Sequence, residues 1–424
     1  MAIILAVPLN GIAEAAAKVD TGDTAWILVS TAMVMLMTPG LAMFYGGMVR
    51  RKNVLGTYMQ SFVAIAVVTI QWIVCGYSLS FGPDFHGIIG GLDWLGLRGV
   101  GLEPNTDYAA TVPHMAFMIY QAMFAVITPA LISGAIAERM KFSSFLVFTV
   151  IWSTVVYDPV AHWVWGTGGW LKNIGVLDFA GGIVVHVTSG ISALAAALVI
   201  GKRKGYMHDV MTPHNLPMTV IGASILWFGW FGFNAGSALS AGPLSVMAFV
   251  ATHSSAVAAT LTWVVIEWMH RGKPTMFGAA TGAIAGLATI TPASGYVGPM
   301  SALAIGMSAA AVCYVALTMK NRLGYDDSLD AFGVHGIGGI LGTLAVGFLA
   351  QKVINPGGAD GLLFGSTGLF SKQVIGVGVT VVYSFAATVV ILKMIEWTMG
   401  LRLSAENEFE GLDLSQHGES GYTL

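Results

Sequence analysis

Two histidines carry the chemistry that stands out first. His186 ends the stretch Asp178-Phe179-Ala180-Gly181-Gly182-Ile183-Val184-Val185 and runs on into Val187-Thr188-Ser189-Gly190, while His335 closes Phe332-Gly333-Val334. A neutral imidazole has one N–H and one lone-pair nitrogen, so two in contact can donate, accept and relay a proton. Both lie in apolar sequence, where an ionisable residue is by default a functional-site hypothesis. Helical spacing gathers Gly182, His186 and Gly190 on one face with Ser189 beside them, and puts Gly338, Gly339 and Gly342 on the face of His335. Small residues allow close helix approach in lipid. Two such helices can bring their imidazoles together.

The elements that must hold this pair are set by composition. Of 424 residues, 55% are hydrophobic and only 10% charged, against about a quarter charged in ordinary soluble domains. Mean hydropathy is +0.75. Apolar runs of about 20 residues recur, enough to span a bilayer, and they define an all-α polytopic membrane protein. The runs fall at roughly 24–48, 57–82, 114–138, 142–165, 179–201, 217–238, 244–269, 276–291, 300–320, 332–351 and 373–400. That makes eleven, the eighth being short and ending at Thr291-Pro292. Residues 1–23 form an N-terminal segment that reads as a signal peptide remnant, with small residues Ala15 to Ala17 before a cut but no basic beginning. The membrane domain then covers 24–400 and a tail 401–424. Cys75 and Cys313 fall within spans, so they read as packing residues and imply no disulfide framework. No nucleophile triad, phosphate loop or metal-ligand spacing appears, which excludes the common enzyme classes.

Charge orients the spans. Thirteen basic residues (Arg50, Arg51, Lys52, Arg139, Lys141, Lys202, Arg203, Lys204, Arg271, Lys273, Lys320, Arg322, Arg402) fall on one side. Five (Lys18, Arg98, Lys172, Lys352, Lys372) fall on the other, and Lys393 lies within the last span. The positive-inside rule puts the thirteen in the cytoplasm, with the N-terminus outside and the tail inside. His186 sits in the fifth span and His335 in the tenth, each after an aromatic and glycine. A five-span repeat must invert across the membrane, and inverted repeats meeting at the midplane are a transporter architecture.

The blocks Pro39 to Gly47, Gly134 to Arg139, Asp178 to His186, Trp230 to Ser237, Thr291 to Tyr296, Phe332 to Gly336 and the tail segments Gly411-Leu412-Asp413 and His417-Gly418-Glu419 resemble the ammonium transporter family (Amt/Mep/Rh). They run in family order over nearly the whole chain and are closest to bacterial Amt members. The resemblance implies an eleven-helix bundle assembled as a homotrimer in the cell inner membrane, with a pore in each protomer and no cofactor. It implies recruitment of ammonium at Trp165, Ser237 and Tyr120, the last replacing a Phe common in bacterial members. It makes Phe124 and Phe233 the gate, His186 and His335 the pore pair and proton relay, and Asp178 a structural support. It also implies a docking face for a PII-type signalling protein on the basic loops and tail.

Physics favours that assignment. A bare ion of ammonium's size costs on the order of 20 kcal/mol to place in low dielectric, whereas a cation–π contact returns only about 0.5–2 kcal/mol. Losing the proton removes the charge, and potassium has none to lose. Two readings compete. A haem protein using both histidines as axial ligands would need a wide pocket and would be coloured. A sensor that binds ammonium without much flux would be expected to carry an appended signalling domain, and none follows Leu424. The other intramembrane histidines, His162 and His253, read as packed, hydrogen-bonded core residues.

Overall fold

The computed structural model describes residues 18–422. Ten helices among them are long and apolar enough to cross a membrane. They are α1 (Thr21–Met48), α2 (Arg51–Phe81), α3 (His114–Ile136), α4 (Phe142–Ile174), α5 (Gly182–Ile200), α6 (Leu216–Gly236), α7 (Pro243–Arg271), then α9 (Pro299–Leu323), α10 (Phe332–Leu349) and α11 (Gly368–Thr398). The shorter apolar α8 (Met276–Ile290) lies between α7 and α9 and completes eleven. Its polypeptide turns at Thr291 to Tyr296 while still buried. Irregular backbone at membrane depth is tolerated where protein surrounds it, and this one borders the histidine pair. The signal-peptide reading of the N-terminal segment falls mostly outside the described residues.

The five-plus-five inverted repeat is visible in the packing. α1 packs on α6, its counterpart, and α5 packs on α10. The α5–α10 crossing is close because of glycine. A Cβ on Gly190 would overlap the backbone N and Cα of Gly336, and one on Gly339 would lie 2.8 Å from the His186 Cβ. The small-residue faces read from the sequence therefore exist. The first turns differ from the α-helical spacing assumed there, because Gly182–Val187 and Phe332–Gly336 are both π-helical. Such turns are rare and frequent at functional sites. α2 and α4 each contain one as well, at Trp72–Gly76 and Ser153–Tyr157.

Between α2 and α3 the chain forms a loop with a small antiparallel hairpin, β1 (Asp84–Phe85) and β2 (Ile89–Gly90). It is tied down by His162, which is fully buried. One ring nitrogen of His162 contacts the Ser80 carbonyl at 3.0 Å and the other the Asp84 carboxylate at 2.9 Å. That histidine is the packed core residue expected. His253 is not: its side chain is exposed on the outer face of α7, beside Trp227 and Phe231. In an apolar span, position alone does not separate an inward from an outward side chain.

At the basic face the tail folds back as α12 (Ala405–Glu410) and α13 (Leu412–His417). The Asp413 carboxylate accepts the Gly56 N–H, and the Leu412 N–H donates to the Asn53 side chain. Arg402 binds Glu408 through both ends of its guanidinium. Beneath the tail, buried Glu138 accepts from the Arg50 backbone at 2.7 Å and pairs with the Arg50 and Arg203 guanidiniums. Burial pushes the Glu138 carboxyl up, but Arg203 and Arg50 more than reverse this and hold it below its usual range. Arg203 also clamps Asp326, and fully buried Arg139 donates to the Ala135, Ala137, Gly201 and Asp326 carbonyls.

Candidate transport pathway

The two imidazoles meet. Their Nδ1 atoms are 3.3 Å apart, and their rings lie 5.2 Å apart, 18° from parallel. Both are buried. What positions His186 begins with Asp178. One carboxylate oxygen accepts the Gly181 and Gly182 N–H groups at 2.8 and 2.6 Å; the other accepts those of Ile183 and Val184 at 2.7 and 3.1 Å. These are the otherwise orphaned donors of a helix start. So tight a start needs Gly181 at φ +115°, a conformation that favours glycine.

Asp327, which the sequence reading did not single out, does the same for His335 from the opposite face. Its two oxygens accept the Ala331 and Phe332 N–H groups at 3.1 and 2.8 Å. Burial pushes this carboxyl up to about 6, with Lys320 opposing. A signal was available. Asp178 precedes His186 by eight residues, and Asp327 precedes His335 by the same eight.

Above His186 the phenyl rings of Phe124 and Phe233 lie 4.2 Å apart at 31°. The Phe233 ring is 6.1 Å from the His186 ring and near parallel to it. Trp165 stands edge-on to Phe124 at 5.9 Å, its indole N–H donating to the Asp178 carbonyl. Trp165, Ser237 and Phe124 line a cavity of about 180 Å³ that opens toward the β1–β2 side, together with Phe117, Tyr108 and Asp107. Tyr120 is not among its lining residues. It is fully buried, with its ring 5.0 Å from Phe124 and its hydroxyl donating to the Gly232 and Phe233 carbonyls. Ser237 also donates to the Phe233 carbonyl, at 2.8 Å. With the Tyr120 hydroxyl 3.3 Å from its oxygen, one lone pair remains to accept.

A line of spaces joins the two faces. The cavity beside Trp165 ends on Phe124, whose ring is tilted against that of Phe233. Phe233, His186 and His335 border a cavity of about 10 Å³, with Trp230, Ile127 and Leu226 among its walls. His335 also borders a second cavity of about 10 Å³, which reaches Asp330 past Tyr45 and Val334. Asp330 in turn lines an open cavity of about 500 Å³ on the basic face, with Arg203, Glu267 and Lys320. The middle of the line is apolar except for the imidazoles and is too small for a hydrated ion. The direct Nδ1 contact leaves no room for a metal between the rings, which removes the haem reading.

An eleven-span helical bundle with an inverted repeat and this axial line of cavities is a membrane transport protein rather than an enzyme. The chain belongs to the ammonium transporter family, whose family model ("Ammonium Transporter Family") matches residues 25–422. It is 51% identical over 402 residues to an ammonium transporter of Bacillus subtilis, covering 95% of this chain and 98% of that one. It is 50% identical over 402 residues to the ammonium transporter Amt1 of Archaeoglobus fulgidus, covering 95% and 99% respectively. The crystal structure of Saccharomyces cerevisiae Mep2 superimposes with a TM-score of 0.86 at 35% identity, covering 91% of each chain.

Proposed function

We propose that this protein takes up ammonium from outside the cell, removes its proton near the stacked rings, and conducts ammonia past the imidazole pair. The observation that carries this reading is the imidazole contact beside a small cavity whose other walls are apolar. Ammonium is recruited in the outer cavity, where the faces of Trp165 and Phe124 offer cation–π contact and Ser237 accepts a hydrogen bond. Tyr120 contributes from behind by donating to the Gly232 and Phe233 carbonyls and contacting the Ser237 hydroxyl. Phe124 and Phe233 form the gate, and stripping water there makes the charged form costly. Below them, His186 and His335 hydrogen-bond ammonia and relay the proton. Asp178 supports the site without lining it.

The same reading places residues 24–400 as the transport domain and 401–424 as a cytoplasmic tail, with the thirteen-to-five basic bias setting the orientation. The protein works as a homotrimer in the cell inner membrane. A PII-type partner docks on the basic loops and the folded tail, where Arg51, Lys52 and Tyr422 border a cavity of about 170 Å³. Ammonium pulses on proteoliposomes containing the purified protein test the transport reading. Ammonium-evoked current or alkaline shift above empty liposomes is expected, and flux no greater than in empty liposomes would overturn it. Co-purification from nitrogen-replete cells with no PII-type protein retained would remove the partner.

A further inference from the structure

Where α8 ends, the Thr291 hydroxyl is buried with three polar neighbours. Its oxygen lies 2.8 Å from the Leu287 carbonyl, 2.9 Å from the Trp230 indole nitrogen and 3.3 Å from the His186 Nε2. A hydroxyl has one proton and two acceptor lone pairs. The Leu287 carbonyl can only accept, so it takes the proton. The indole N–H can only donate, so it takes one lone pair. The contact that remains is a lone pair facing His186, which makes His186 Nε2 the N–H. A neutral imidazole holds one N–H, so His186 Nδ1 is bare and must accept. The proton in the 3.3 Å contact between the rings then belongs to His335 Nδ1. That leaves His335 Nε2 bare, with no hydrogen-bond partner among the described residues.

We propose that Thr291, held by Trp230, fixes the proton order of the pair: N–H at His186 Nε2, bare and accepting at His186 Nδ1, N–H at His335 Nδ1, and bare with no partner among the described residues at His335 Nε2. Thr291 is a positioning residue, acting through His186. The assignment stands on hydrogen-bond geometry alone, and its consequence rests on the relay reading above. In this order the pair takes a proton at His335 Nε2, passes the Nδ1 proton from His335 to His186, and releases the one on His186 Nε2. Proton movement from the Trp165 side to the Asp330 side needs the opposite order, with His186 Nδ1–H donating to His335 and the His335 N–H at Nε2. Both imidazole protons must therefore change nitrogen before that direction is open. Thr291 biases the pair against it. The resting arrangement is polarised although the two rings look equivalent.

Nitrogen-15 NMR of histidine-labelled protein reads this directly, because protonated and bare ring nitrogens resonate far apart. Loss of each signal in His186→Asn and His335→Asn assigns the rings. In the wild type, the His186 Nε2–H form is expected to exceed its tautomer by at least about tenfold, the worth of one buried hydrogen bond. Thr291→Ser, which keeps the hydroxyl, should preserve the ratio. Thr291→Val should bring it toward parity, and Thr291→Ala tests the same loss with less volume. A dominant His186 Nδ1–H form in the wild type, or an unchanged ratio in Thr291→Val and Thr291→Ala, would overturn the proposal. Ammonium-evoked current from the same wild-type preparation reports on transport separately. A transporting protein with the wrong tautomer refutes only this inference.

Discussion

Replacing both imidazoles separates two jobs that the proposed function gives them. The cavities on either side of His335 are about 10 Å³ each, at the lower limit for holding one water. A cation passing intact must therefore shed its water, at an effective cost of several kcal/mol. If about 4 kcal/mol of that penalty survives, potassium is held back roughly a thousandfold, since each 1.36 kcal/mol is a factor of ten. His186→Leu with His335→Leu keeps the space filled and dry but removes the proton carriers. The ammonium-evoked current should fall at least about tenfold, with potassium still excluded. His186→Ala with His335→Ala opens room for water on both sides of the contact. Part of the desolvation cost then disappears, and a potassium current should rise toward the thousandfold limit. Both variants are measured against wild type in proteoliposomes of one composition, under potassium and ammonium gradients. A Leu/Leu protein with wild-type ammonium current and intact potassium exclusion would refute the reasoning and return both histidines to packing.

Phe233→Ala removes one of two rings 4.2 Å apart; the cavity costs about 3–5 kcal/mol, seen as a lower unfolding temperature, while ammonium rate or selectivity changes with the assembly state of the wild type retained. Gly190→Ala places a Cβ into the Gly336 backbone, so destabilisation at or above the usual ~1–3 kcal/mol of overpacking is expected, read as loss of folded protein on size-exclusion chromatography. Glu138→Gln leaves the Arg50 and Arg203 guanidiniums without their buried counter-charge, and truncating such a pair costs about 3–5 kcal/mol. Because the folded carboxyl lies below its ordinary 4.5, the wild type's advantage over Glu138→Gln should be complete above pH 4.5. It should shrink as pH falls through the depressed value, and thermal unfolding of both proteins across that range checks the sign.

Much of this was legible because a bilayer simplifies the code. Eleven apolar runs match eleven helices, with ends within a few residues except at the starts of α2 and α11, where helix begins before the apolar stretch; in α4 the helix breaks after Trp165, where the apolar run ends, and a short turn of helix, Trp170–Ile174, follows. The glycine faces of α5 and α10 could be read because close backbone approach admits nothing larger. Three things escaped. The π-helical turns that lead into His186 and His335 are invisible to a 3.6-residue count, since one extra residue per turn leaves no compositional trace. The outward turn of His253 escaped because both sides of a membrane helix are apolar. The place of Tyr120 behind the cavity wall, with Phe117 on the wall itself, depends on which way one turn of α3 faces, and near-uniform apolarity hides that too.

Asp327 is the more instructive omission, since its spacing to His335 repeats that of Asp178 to His186. The repeat inverts, so the two carboxylates sit at opposite membrane faces and each caps the helix that carries one imidazole inward. A ring 3.3 Å from its neighbour tolerates little sliding along either helix axis. Capping each of the two helix starts with a carboxylate fixes how deep each histidine lies, from two independent anchors. The two caps are not equal. Among the described residues Asp178 satisfies four N–H groups and pairs with no cation, whereas Asp327 satisfies two and has Lys320 and Asp330 beside it. The same fold element is thus rigid and apolar at one face and charged at the other. That asymmetry fits the proposed function, in which ammonium sheds water and charge at the Asp178 end and regains both at the Asp327 end.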